Sequence, residues 1–509
     1  MLSVSEAHTQ NDSPEIKNFL TCVSQPPNCG VSDVTYTQQN TSFNSILNMR
    51  IQNKMFKTQA TPKPLAIVTA KSVSQVQATV KCAKSSGIQI RIRSGGHDYE
   101  GLSYVSDVKF IVLDMFPLQS VLVDVSSSTA WVDAGATVGQ VYYEIAKKSN
   151  VHAFPAGVCV SLGAGGHFSG GGYGNLMRKY GLSVDNIIDA TLVDANGNVL
   201  KRNNMGEDLF WAIRGGGAAS FGVIVAWKIK LVPVPPQVTV FNVKRPVTEG
   251  ATDVVYKWQQ VAPKLDKDLF IRAEPDVVNG TVVISFIGQF LGQIDRLIPL
   301  VSNSFPELGL KKSDCTEMPW VNSTLNWFGA PVTPLENLLP TGKEPAPNYH
   351  KGKSDYVKKP IPKEALNCIW DKMIEVGNMW MQWNPYGGAM EEILPNATPF
   401  PHREGNLFLI QHYAFWNQDG DEAPNLAKLK SFYEFMTPYV SCSPREVFLN
   451  YRDIDVGAKH PSTSKDLNVA RSSYGSKFFK ENFDRLVDVK SKVDPDNFFT
   501  YEQSIPPKS

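Results

Sequence analysis

The chain has 509 residues, a formal net charge of +1 at pH 7 and 19% charged residues. That length exceeds one ordinary core, so two or more domains are expected. The absence of long basic or acidic blocks argues against nucleic acid or an anionic membrane as partner, and no apolar run reaches the length of a spanning helix.

In chain order, the opening Met1 to Ala7 is too short for a signal peptide and reads as the remnant of one or as a start chosen for expression. Residues 62–235 alternate strands and helices. Leu65 to Val68 is a short apolar strand, Val73 to Ser86 has helical spacing, and Ile88 to Ile92 alternates as a strand does. Phe110 to Leu113 and Ala130 to Asp133 continue the strands, and Gly139 to Ser149 reads as a helix. The glycine-rich stretch after Cys159 is expected to wrap something or turn repeatedly, because glycine costs ~1 kcal/mol against alanine in a helix. The prolines of Val232 to Pro236 mark the clearest boundary. Beyond it, Val282 to Ile287 and Phe408 to Tyr413 alternate as antiparallel strands, and amphipathic stretches at 250–262, 293–304, 363–377 and 423–438 suggest helices on one sheet face. The turn Asp494 to Phe499, with its aromatic anchors, is expected to return to the first domain.

Seven cysteines do not make a dense framework. Cys22 and Cys82 lie near N-terminal elements and can pair in an oxidising compartment, while Cys29, Cys315, Cys368 and Cys442 read as buried thiols. Sequons at Asn11, Asn40, Asn279, Asn322 and Asn396, taken with that pairing, favour a secreted or vacuolar glycoprotein.

Two nucleophilic side chains sit in glycine-rich backbone. His97 closes Arg93-Ser94-Gly95-Gly96-His97, and Cys159 precedes Gly165-Gly166-His167-Phe168-Ser169-Gly170-Gly171-Gly172-Tyr173-Gly174. Glycine lets backbone N–H groups approach a phosphate or a flat ring, so the two stretches read as a flavin cradle with two possible covalent anchors. The backbone from Ser94 to Gly96 and at Gly165 and Gly166 would take a pyrophosphate. Phe168 stands where a Rossmann fingerprint needs its third glycine, so this is a different cradle. His412, Glu391 and Glu392 have no metal-ligand spacing, and no metal site is expected.

These motifs, with Asn450-Tyr451-Arg452-Asp453 and Asp494-Pro495-Asp496-Asn497-Phe498-Phe499, resemble the plant berberine-bridge-enzyme-like flavoproteins of the vanillyl-alcohol-oxidase superfamily. Ser304 to Gly309 and Asp355 to Pro362 lean toward the cannabinoid-synthase-like and plant Diels–Alderase branch. The resemblance implies a two-domain α+β fold, an FAD-binding domain with an antiparallel-sheet substrate domain covered by helices. By motif matching the FAD domain is split, 1–236 and 443–509, around a substrate domain at 237–442. It also implies bicovalent FAD, with His97 on the flavin 8α-methyl and Cys159 on flavin carbon 6. Arg93, His167, Tyr173, Val223 and Asn497 join the cofactor-binding set by the same resemblance.

Tyr451, Tyr99 and Gln411 are the candidate catalytic residues. Tyr451 matches the base of related oxidocyclases, and a phenol, with its pKa near 10, must be tuned downward to serve as one. The chain departs from the family at the substrate positions. Leu409 stands where other branches have Lys or Glu, Glu274 replaces a His, and Asn384 replaces a Tyr, so the substrate is expected to differ from that of the cannabinoid synthases. Arg445 is a further candidate for holding a carboxylate or phenolate. Leu162, three residues after Cys159, falls where oxygen must approach the flavin, and a bulky side chain there favours a dehydrogenase as readily as it reflects simple packing. The function expected is an FAD-dependent oxidative cyclase that transfers a hydride from a phenolic or prenylated plant metabolite to flavin nitrogen 5, with oxygen or another acceptor following. The alternative is a non-redox Diels–Alderase that keeps FAD as a structural wall; oxidation of a carbohydrate hydroxyl is a third option. A monomer in the secretory pathway, extracellular or vacuolar, is expected.

Overall fold

The computed structural model describes residues 13–342, 347–377, 379–459 and 466–508, apart from the side chain of Cys29. The opening residues, the sequon at Asn11 and the thiol of Cys29 therefore lie outside the described residues.

The first domain carries two main sheets. In one, strands Ala66–Thr69 and Gln89–Arg93 lie parallel to Phe110–Asp114, and Thr35–Thr37 adds an antiparallel edge. The other is antiparallel, in the order Val121–Asp124, Thr129–Asp133, Val223–Lys230, Ile187–Val193, Val199–Leu200. Helix Val73–Ser85 is capped by Ser72, whose hydroxyl accepts from Gln75 N–H, and its buried Val76, Val80 and Ala83 face the core. The glycine-rich stretch departs from expectation. It holds a six-residue helix, Ala164–Ser169, with Ala164, Phe168 and Ser169 buried. Packing of that face outweighs the propensity cost of Gly165 and Gly166.

The second domain is one seven-stranded antiparallel sheet. Its order is Cys315–Met318, Val238–Pro246, Thr281–Phe290, Leu269–Val278, Met379–Pro385, Phe408–Trp416, Tyr349–Val357. Side chains alternate between faces along each strand. Ile271, Ala273, Met381, Trp383 and Ile410 join the core shared with helices Ala251–Val261, Ile294–Ser304, Lys363–Val376 and Glu422–Phe435. Because Ala273 pairs with Trp383 and Trp383 with Ile410, the alternating residues Arg272, Glu274, Gln382, Asn384, Leu409 and Gln411 leave the other face. That face carries the polar groups described below.

The C-terminal helix Asn482–Val493 and its following turn pack into the first core through Phe483, Leu486, Val487 and Phe499. Helix Trp320–Phe328 also gives Trp320, Val321 and Leu325 to that first core, although it lies within the central segment of the chain. Cys22 and Cys82 form a disulfide. The expectation of buried thiols is corrected at three positions: Cys368 and Cys442 are exposed and Cys315 is half-buried. Cys368 occupies the solvent side of its helix, whose core contacts fall to Leu366, Ile369, Trp370 and Met373.

Candidate active site

A cavity of about 620 Å³ runs between the two domains, lined by both glycine-rich segments, the polar sheet face and the 448–452 return. His97 and Cys159 both line it, and one hydroxyl bridges them: Ser161 Oγ lies 2.9 Å from His97 Nε2 and 3.4 Å from Cys159 Sγ. Burial, reinforced by His350, lowers the pKa of His97 to about 4, so its imidazole is neutral and nucleophilic. Burial raises the Cys159 thiol.

The cradle is built by close backbone approach. A Cβ on Gly95 would fall 2.4 Å from Gly163 N, and one on Gly96, at φ +71°, would fall 1.8 Å from the Arg50 carbonyl oxygen. Gly166 also lines the cavity, and a Cβ there would meet no atom within 4 Å, so a side chain would fill the cavity itself. Arg91 lines the same cavity, with Nε and Nη1 buried and unpartnered. Open cradle, orphaned cationic donors and two nucleophiles in one elongated cavity fit an FAD molecule. His167 supports the bend, since its Nε2 accepts from Gly157 N–H at 2.9 Å.

Above the cradle stands a group of phenols. Tyr173 and Tyr451 share a hydrogen bond between hydroxyls. Asn384 Nδ2 donates to Tyr173 Oη at 3.1 Å, Arg272 Nε donates to Asn384 Oδ1 at 2.7 Å, and Arg272 Nη1 pairs with Glu274 at 3.2 Å. Tyr99 stacks on Tyr451 with centroids 5.7 Å apart and an angle of 6°, and its hydroxyl accepts from Gln411 Nε2 at 2.6 Å. Burial, then the neighbouring Tyr173 and Tyr99 phenols, raises Tyr451 well above the ordinary tyrosine range, and the Arg272 charge opposes the rise. The downward tuning expected of a base is therefore absent; Tyr451 is a neutral phenol here.

Of the sequence-derived candidates, His97, Cys159, Ser94, Gly95, Gly96, Gly165, Gly166, His167, Tyr173, Tyr99, Gln411 and Tyr451 line the cavity. Others stand elsewhere. Arg93 is buried beneath it, paired with Asp114 at 2.6 Å and donating to the Leu47 carbonyl. Val223 is a core residue of its strand, between the lining residues Gly222 and Ile224. Asn497 sits in the turn whose N–H groups bind Asp494. Arg445 is held by Asp355 at 2.6 Å over the Tyr433 ring, and so is a structural ion pair. Leu409 is buried among Tyr173, Tyr356, Tyr386 and Phe448, where no cation is needed. Glu274 lines a second cavity of about 520 Å³ that shares Arg272, Trp380, Gln382 and Val158 with the first.

Sequence reasoning missed Ser161, Arg272, His350, Trp380 and Tyr413. One signal for Arg272 was legible: an arginine and a glutamate two residues apart in a strand share a face.

Fold and cavity together define a flavoprotein enzyme of two domains. Comparison with known proteins gives the family. An FAD-binding-domain model matches residues 64–203, and a berberine and berberine-like model matches 447–506. Berberine bridge enzyme-like 17 of Arabidopsis thaliana is 54% identical over 518 residues, covering 100% of this chain and 97% of that protein. Among solved structures, berberine bridge enzyme-like 28 of the same plant is 45% identical at a TM-score of 0.91, covering 97% of this chain and 100% of the other. The grass pollen allergen Phl p 4, described as having glucose dehydrogenase activity, is 43% identical at a TM-score of 0.92, covering 96% and 99%. The chain belongs to the berberine bridge enzyme-like family, and it is an FAD-dependent oxidoreductase of the vanillyl-alcohol-oxidase type.

Proposed function

We propose that the protein oxidises a phenolic or prenylated small molecule of plant metabolism, with cyclisation of the oxidised product. The observation that carries this reading is the relay Tyr451–Tyr173–Asn384–Arg272, which reaches the same cavity as His97 and Cys159. His97 and Cys159 are the two covalent anchors, and the cradle segments belong to an FAD domain formed by 1–236 and 443–509. Bound FAD supplies a hydride acceptor. Tyr451 acts in its phenolate form, which the Arg272 charge favours against burial through three hydrogen bonds, and takes the proton of the substrate phenol. Tyr99, fixed by Gln411, walls the pocket and excludes water.

Leu162 lines the cavity against Gly157. In Phl p 4, a variant carrying one further isoleucine-to-valine change is described as a glucose oxidase where its parent is a glucose dehydrogenase. That pair supports reading Leu162 as a barrier to oxygen. The Cys22–Cys82 disulfide and the sequons support a glycoprotein of the secretory pathway, extracellular or vacuolar.

A second reading follows from the neutral state of Tyr451. Protonated phenols are hydrogen-bond donors, and donors suffice to orient and polarise a dienophile in a non-redox cyclase. One experiment separates the readings: anaerobic mixing of the holoprotein with prenylated phenols and with glucose, following the flavin band and product mass together. Bleaching, with a phenolic product two hydrogens lighter, supports the first reading. A product of unchanged total mass with the flavin still oxidised supports the cyclase, and bleaching by glucose alone replaces both.

A further inference from the structure

The strand Tyr349–Val357 is the edge of the seven-stranded sheet, yet every residue in it is buried. Its side chains alternate, so Lys351 and Lys353 leave one face and Gly352 the other. Two other chain segments straddle this edge. On the site face, Tyr99 lies so close to Gly352 that a Cβ there would fall 2.6 Å from the tyrosine ring. On the opposite face the next residue, Glu100, pairs with Lys351. The return segment does the same: Tyr451 stacks on Tyr99 in the cavity, and Asp453 reaches Lys351 at 3.2 Å and Lys353 at 2.8 Å. Asp455 adds a contact to Lys353 at 2.6 Å, and Ile454 N–H donates to Glu100 at 3.2 Å. Between the two tyrosines and these pairs, Arg452 binds Asp98 at 2.8 Å.

Buried charges are expensive, and replacing a buried ion pair by apolar side chains is often neutral or stabilising. A cluster of four buried charges, Glu100, Lys351, Lys353 and Asp453, with the exposed Asp455 at its rim, is thus poorly explained by stability alone. It ties residue 100 to residue 453 through one ammonium group, while Asp98 ties to Arg452. The aromatic pair Tyr99 and Tyr451 is enclosed between these two bridges.

The geometry points to Lys351 as a positioning residue: with Glu100 and Asp453 it clamps segments 98–100 and 451–453 across the sheet edge, and so sets the face-to-face register of Tyr99 and Tyr451. Lys351 touches neither substrate nor cofactor; it acts through the two tyrosines. Its functional consequence rests on the proposed role of Tyr451, whereas its structural consequence does not.

The test uses the holoprotein with Lys351→Met, Lys351→Arg and the paired change Glu100→Gln with Lys351→Met, which removes both charges and leaves Asp453 to Lys353. Two quantities are read: the split between kcat and KM with a substrate that bleaches the flavin, and an ultraviolet titration of tyrosine phenolates. Loosened register is expected to lower kcat about 10- to 100-fold with KM changed less than about threefold. Tyr99 and Tyr451 are also expected to titrate at lower pH in the paired variant than in the parent, because loosened packing admits water to phenols that burial holds high. Adding Tyr99→Phe or Tyr451→Phe in that background removes the new step, and Lys351→Arg restores the parent behaviour. A lowered Tm with unchanged titration and unchanged kinetics would overturn the proposal. If no substrate bleaches the parent flavin, the redox reading fails by itself and the phenolate titration decides the clamp.

Discussion

Arg272 reaches Tyr173 through a single amide. Asn384 accepts from the guanidinium at 2.7 Å and donates to the phenol at 3.1 Å, and the phenol in turn bonds to Tyr451. The cation that opposes the burial-driven rise of both phenols therefore comes from the strand Leu269–Val278, while position 409 is apolar.

Because the Arg272 charge lowers both phenol pKa values, its removal raises them. Arg272→Met is expected to move the ascending limb of the pH–rate profile to higher pH, with Arg272→Lys moving it less. Tyr451→Phe should lower kcat by about 10²- to 10⁴-fold. An unshifted limb in Arg272→Met would show that Tyr451 does not titrate in the reaction.

Flavin retention reports the anchors. After denaturation, His97→Ala and Cys159→Ala are each expected to keep flavin on the polypeptide, and the double variant to release all of it. Release from either single variant identifies the other residue as no anchor.

Leu162→Val should raise the rate of reoxidation by oxygen at least about tenfold, equivalent to about 1.4 kcal/mol off the barrier. Stopped-flow mixing of reduced protein with oxygenated buffer measures it. An unchanged rate assigns Leu162 to packing.

His167 gives a pH dependence of stability. Burial lowers its pKa from 6.5 to about 3, with a further contribution from His97. The folded protein holds it neutral, since Nε2 must accept from Gly157 N–H at 2.9 Å. The unfolded chain binds a proton below 6.5 and the folded chain does not, so this stability is present above pH 6.5 and lost as pH falls toward about 3. The full contribution is on the order of 4 kcal/mol. Denaturant midpoints of His167→Asn should fall less steeply over that range than those of the parent.

Glycans on protein secreted from a eukaryotic host should occupy Asn40 and Asn279, which are exposed. Asn322 should be bare, because it is half-buried and its amide donates to the Val332 carbonyl at 2.9 Å. Peptide mass spectrometry after deglycosylation checks each position, and a glycan on Asn322 would contradict the fold around helix Trp320–Phe328.

The fold class was legible because its signals are local. Two-residue alternation in Val282 to Ile287 and helical spacing at 250–262 follow from strand and helix geometry alone. The cradle was legible because the glycines that permit close backbone approach are consecutive in the chain around His97 and Cys159. What the amino-acid order could not state is which distant groups meet. Tyr99 and Tyr451 lie far apart in sequence and stack at 5.7 Å; Arg272 gains its role only when antiparallel register sets Ala273 beside Trp383 and hence Arg272 within reach of Asn384. The same limit explains Arg445 and Arg93. In a one-dimensional reading Arg445 is a ligand for a carboxylate or phenolate and Arg93 joins the cofactor-binding set, but each charge is already taken by a carboxylate, Asp355 or Asp114, that only tertiary structure brings to it. Cavity position and pKa depend on burial and long-range neighbours, quantities a chain acquires only on folding.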